Sequence, residues 1–173
     1  MSLSPDAAAA WWHDLQGGEG GRRGKDRAAL ARLRRCARVA EAMQEPAAFD
    51  LFHRCGGRSE EDLPKVALVA AVLSHARENS APQWVARAIG PESPDKPESA
   101  RMKPLRFRRL MEAETPDEVL TGFRRLLALT GGKANIRDLA WALFFWSEKT
   151  RITWTYRYWD AEAPHATAKE TAA

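Results

Sequence analysis

Residues 151–159 read RITWTYRYW, and whether this run is strand or helix decides the fold class. Ile152, Trp154, Tyr156 and Tyr158 alternate with Thr153, Thr155 and Arg157. That is the period of a strand, in residue types with high β-propensity. A strand needs a partner, however, because unpaired backbone N–H and C=O groups are costly once buried. No second run of strand character occurs elsewhere in the chain. The same residues also read as a helix, with Arg151, Trp154, Thr155 and Tyr158 on one side. Consistency with the rest of the chain predicts helix.

Upstream of that run, helical signals dominate. Asn135 opens IRDLAWALFFWSE, and Gly131-Gly132 ends a run in which Val119, Leu120, Phe123, Leu126 and Leu127 recur at helical spacing. TPDE at 115–118 supplies a threonine cap, a proline at the first position and a glutamate at the third. In ARMKPLRFRRLMEAE (100–114), Phe107, Leu110 and Met111 face inward while Arg106 and Arg109 share another face. PESPDKPES (91–99) carries three prolines in nine residues and reads as a surface linker. PQWVARAIG (82–90) is a short helix closed by glycine. VALVAAVL (66–73), preceded by a capping pair in Ser59 and Asp62, is a central buried helix. Pro46 starts a helix through Phe49, Leu51 and Phe52 that CGG (55–57) ends, and Ser4-Pro5 starts one through Trp11, Trp12 and Leu15. The expectation is all-α: a helical-bundle lobe over 1–90, a linker over 91–100, a second helical-bundle lobe over 101–159 and a flexible tail over 160–173.

Charge is unevenly spread within the net +4. Residues 1–58 hold ten bases and seven acids, 59–98 four and seven, and 99–159 twelve and six. The densest run is GGRRGKDRAALARLRRCAR (20–38), with eight bases and one acid. Asp26 caps a helix predicted to last to about Gln44, with Ala29, Leu30, Leu33, Cys36, Ala37 and Ala40 on its inner face. Arg23, Arg27, Arg34, Arg35 and Arg38 cluster on the opposite side. Neighbouring like charges oppose the helix, so the stripe suits an external polyanion. Its bland alternative is a solvated charged surface.

Other function classes find little support. No segment approaches the ~20 apolar residues of a membrane span, the first fifteen residues lack the bases of a secretory signal, and two cysteines are too few for a disulfide framework. The expected compartment is the cytoplasm. His53 and Cys55, with Cys36 or His75, match no common zinc spacing, and Glu60-Glu61-Asp62 is explained by a helix start. No phosphate loop or nucleophile elbow occurs. No catalytic residue, metal or cofactor is expected. Trp12, Trp84, Trp141 and Trp146 read as core, as do Trp154 and Tyr156, although stacking on bases remains open for the last two.

Taken in order, the motifs resemble a known family. A tryptophan pair (Trp11, Trp12) precedes G-x-D-R-A-x-L-x-x-L-R-R-C (Gly24 to Cys36), R-F-R-R-L (Arg106 to Leu110), F-R-R-L-L (Phe123 to Leu127) and D-L-A-W-A-L-F-F-W (Asp138 to Trp146). Over residues 8–159 this resembles CasB, the small subunit of the type I-E CRISPR surveillance complex Cascade. The resemblance implies a two-lobed, non-enzymatic helical subunit. Its partners would be guide RNA, target and displaced DNA, the large and backbone subunits, and a second copy of itself. The residues expected to bind nucleic acid are Arg23, Arg27, Arg34, Arg35, Arg38, Arg101, Lys103, Arg106, Arg109, Arg124 and Arg125. Two other readings remain: a helical adaptor for an acidic protein surface, and a helix-turn-helix regulator. The second is disfavoured because the late helix is apolar.

Overall fold

The run 151–159 is helical. In the computed structural model, which describes residues 2–18 and 24–160, α10 spans Glu148–Trp159. Ser147 caps it, its hydroxyl accepting from the backbone N–H of Thr150 at 3.3 Å. The threonines do not oppose the helix. Thr153 and Thr155 donate their hydroxyls to the carbonyls of Lys149 and Arg151, four residues back, at 3.1 and 2.8 Å. Trp154 and Tyr158 are fully buried, whereas Ile152 and Tyr156 are exposed. The apparent strand period thus comes from two i,i+4 pairs on different helix faces, offset by two residues.

Nine further α-helices precede it among the described residues: α1 (Pro5–Leu15), α2 (Arg27–Arg35), α3 (Val39–Ala42), α4 (Pro46–Arg54), α5 (Asp62–Leu73), α6 (Val85–Ile89), α7 (Pro104–Met111), α8 (Pro116–Leu129) and α9 (Ile136–Phe144). The fold is all-α. Among the described residues, no helix is long and apolar enough to cross a membrane. Arg23 and the tail beyond residue 160 lie outside the described residues.

Helix α5 is the hub. Residues 66–73 are all buried, as its apolar composition on every side requires, and α3, α4, α8 and α9 pack around it. Helix α1 lies against α9 and α4, its Trp11 and Trp12 indoles donating to the carbonyls of Ala47 and Ala76. Helix α6 packs on α10. Buried side chains from Leu3 to Tyr158 form one continuous cluster, with members on both sides of residues 91–100.

Three details differ from the sequence reading. First, strand partners do exist: β1 (Glu78–Asn79) and β2 (Lys133–Ala134) pair in parallel, Glu78 opposite Lys133. Two residues are too few to show an alternating pattern. Second, the helix predicted over 26–44 is broken. Cys36 and Arg38 are extended (φ −65°, ψ 111° and φ −131°, ψ 154°), so Ala37 and Ala40 are exposed while Val39 and Ala42 are buried. Side chains take up the released backbone groups: Ala37 N–H donates to Glu41 at 2.9 Å and Val39 N–H to Asp117 at 2.8 Å. Third, the late apolar helix stops at Phe144, and Ser147 opens α10 instead of continuing it.

Candidate nucleic-acid interface

Helices α7 and α8 form a hairpin whose outer side carries arginine. In α7, Phe107 and Leu110 enter the core, which turns Arg106 and Arg109 outward. Helix α8 starts on a complete capping box between Thr115 and Glu118 and buries Val119, Leu120, Phe123, Leu126 and Leu127, leaving Arg125 exposed. The helices approach closely at Gly122, where a Cβ would lie 2.6 Å from the Cδ1 atom of Leu110. Beside this crossing opens a groove of about 980 Å3 whose lining includes Met102, Leu110, Arg106, Arg109 and Arg125.

The charges in the groove differ in how they are engaged. Glu118 accepts from the N–H groups of Glu114 and Thr115, which holds its carboxyl below the usual range. Asp117 accepts from Val39. These two acids therefore serve the fold, whereas a third on the lining, Glu112, is exposed. Arg106, Arg109 and Arg125 make no hydrogen bond or ion pair with any described residue. Three guanidiniums around one groove, none of them paired with a carboxylate of the described residues, leave it able to take an anion, although Glu112 shares the lining.

The remaining expected contacts divide in two. Arg27, Arg35 and Arg101 are exposed, as is Arg38, whose contact with Glu41 at 3.6 Å is a solvent-facing pair of small energetic consequence. Lys103 is exposed and donates to the carbonyl of Glu98. Arg108, absent from the sequence reading although it lies in the same R-F-R-R-L motif, is exposed on α7 but does not line the groove. Arg34 and Arg124, by contrast, are used internally. The Nε atom of Arg34 donates to the carbonyl of Ser74 at 2.6 Å. Arg124 donates to the carbonyls of Arg34 and Cys36, and its Nε to the Nε2 of His75 at 2.9 Å.

His75 must be neutral to accept that bond. Burial pushes its pKa down to about 4, helped by the Arg124 and Arg34 charges. The unfolded chain therefore takes up this proton first, and the His75 contribution to stability, complete above the ordinary value near 6.5, is lost as pH falls toward 4. His75→Gln keeps an acceptor but does not titrate. Its melting temperature relative to the parent should rise as pH falls from 7 to 5, by the equivalent of about 1 kcal/mol once solvent screening is allowed for. Thermal melts at the two pH values check this, and a constant difference would refute it.

Elsewhere, Cys36 and Cys55 are buried, and burial pushes the Cys55 thiol up to about 11. Among the described residues, no three His, Cys, Asp or Glu side chains gather as a metal ligand set. Trp154 is fully buried, with Phe123 and Trp146 edge-on to it, whereas Tyr156 is exposed and not the core residue expected. The Asp62 carboxylate, on the first residue of α5, accepts from the N–H groups of Arg58 and Ser59 in the turn before the helix.

Comparison with known proteins agrees with this architecture. The family model described as CRISPR-associated protein Cse2 matches residues 29–159. A Cse2-family CRISPR-associated protein from Thermus thermophilus superposes with a TM-score of 0.65 at 23% identity, over 90% of this chain and 97% of that one. A chain from the crystal structure of E. coli Cascade bound to a PAM-containing double-stranded DNA target superposes with a TM-score of 0.63 at 16% identity. That match covers 91% of this chain and 95% of the other. Curated protein sequences give no match.

Proposed function

The chain belongs to the CRISPR-associated Cse2 family, and from that premise we propose that it is a non-catalytic small subunit of a type I-E Cascade. In this reading it holds guide RNA and target DNA through basic helix faces, beside the large and backbone subunits and a second copy of itself. The observation that carries the reading is the α7–α8 groove, where Arg106, Arg109 and Arg125 are exposed and unpaired. In RNA-guided recognition, base pairing reads the sequence, so the protein needs only charge and shape. Strand exchange is nearly balanced in energy, and contacts to the phosphate backbone tip it. Arginines presented on helices without base-reading geometry are suited to that task.

The test is binding of single-stranded DNA, titrated against salt. Log affinity should fall linearly with log salt, and the Arg106→Gln, Arg109→Gln, Arg125→Gln triple variant should lower the slope by roughly 0.7 per lost contact, about 2 in all. Its melting temperature should match the parent, because these side chains bond to nothing in the fold. A flat salt response would count against this role, and no measurable binding even at low salt would point instead to an adaptor for an acidic protein. A preference among duplexes on the order of a thousandfold would identify a sequence-specific regulator.

A further inference from the structure

The break between α2 and α3 is held by a side-chain clamp. Arg124, on α8, donates to the carbonyls of Arg34 and Cys36, the last turn of α2 and the residue after it. Its Nε is oriented by His75, just past the end of α5. Arg34 reaches the other way, to the Ser74 carbonyl beside that histidine. One residue beyond the break, Val39 N–H is held by Asp117, also on α8. Four side chains from two helices and a loop thus hold the backbone at Arg34, Cys36 and Val39 or orient the groups that do, and between these points stand Arg35 and Arg38, both exposed. Neither exposed arginine takes part in the clamp itself.

Resting on the nucleic-acid reading above, we propose that Arg124 is a positioning residue. Without touching the nucleic acid, it docks the α2–α3 corner onto α8 and so fixes Arg35 and Arg38 relative to the groove arginine Arg125. A direct ligand role for Arg124 would require it to leave two carbonyls and a histidine, all partly buried. A helix continuing through residue 44 would also have carried Arg35 and Arg38, but on a course set by α2 alone. With the break, their placement follows α8. The two basic groups then form one surface whose spacing the protein sets before any strand binds, which is worth affinity because no ordering remains to be done on binding.

A double-mutant cycle on the full chain tests this, with single-stranded DNA as the probe. Arg124→Gln should weaken binding roughly tenfold in the parent, within the range for coupled neighbours, and have no further effect when Arg35 and Arg38 are already Gln. His75→Leu, which removes only the acceptor, should act in the same direction but less strongly, and His75→Gln should restore binding. If Arg124→Gln does not fold, the His75 pair of variants decides the matter. An equal loss in both backgrounds would show that Arg124 contacts the strand itself and would overturn the proposal. No loss at all, or no difference between the two His75 variants, would also overturn it. If the parent binds no DNA, or binds as well with Arg35 and Arg38 both Gln, the nucleic-acid reading of this corner fails and the proposal with it.

Discussion

Gly90→Ala is expected to lower stability by about 3 kcal/mol or more, roughly 6–12 °C in melting temperature for a chain of this length. Gly90 follows α6 where that helix meets the end of α10. A Cβ at this position would lie 2.0 Å from the Tyr158 carbonyl oxygen and 2.9 Å from its carbon. Both are backbone atoms and cannot turn aside. The contact is further pinned by Arg87, which donates to the carbonyls of Arg157 and Tyr158 at 3.1 and 2.7 Å and to that of Pro91. A cation at these last carbonyls also opposes the negative end of α10. The φ of −80° at Gly90 suits any residue, so the penalty is one of space alone. A calorimetric melt reads it, and an unchanged transition would mean that α6 and α10 are less closely apposed than described.

Asp138→Ala should cost about 3–5 kcal/mol, the usual consequence of stranding a buried charge. Asp138 is 1% exposed, accepts from Val85 N–H at 2.8 Å and faces the Nη1 of Arg157 at 3.3 Å. The Arg157 guanidinium lies 3.5 Å above the Trp84 ring, so removing the carboxylate leaves a cation among aromatic rings and an N–H without its acceptor. Burial raises the Asp138 carboxyl to about 6, against the lowering effects of Val85 and Arg157. At pH 7 the carboxylate is still ionised opposite Arg157. Asp138→Asn keeps an acceptor for Val85 but also removes that charge, so it should recover only the hydrogen-bond part of the loss, about 1–3 kcal/mol. Urea unfolding at pH 7 separates the two variants, and equal losses would show that the ion pair rather than the hydrogen bond holds α6.

Most of the fold could be read from local rules. Capping at Ser4, Thr115 and Asn135, the glycines ending α8 and the uniform apolar character of α5 depend on neighbours within a few residues. So does α10, once its threonines are seen to bond backwards along their own helix. The break at 36–38 was not legible because the groups that stabilise it, Asp117 and Arg124, arrive about eighty residues later. The same cause limits the site. Helical spacing pairs Arg106 with Arg109, but only the α7–α8 hairpin adds Arg125. Arg34 and Arg35 are adjacent in one motif, yet one serves the interior and the other solvent. That distinction depends on the Ser74 carbonyl, forty residues away.

The packing of α1 on α9 also has a consequence for synthesis. The first helix leaves the ribosome early, whereas α9 begins at Ile136. At 5–20 residues per second the interval is roughly 6–24 s. Through that time the Trp11 and Trp12 face has α4 beside it but not its larger partner, and the Asp6 carboxylate waits for Arg137, which it meets at 2.8 Å in the finished protein. The expected consequence is that the α1 tryptophan face stays partly uncovered until α9 has emerged. A message truncated before residue 136 yields a product that never hides those side chains, and cellular proteases should remove it promptly.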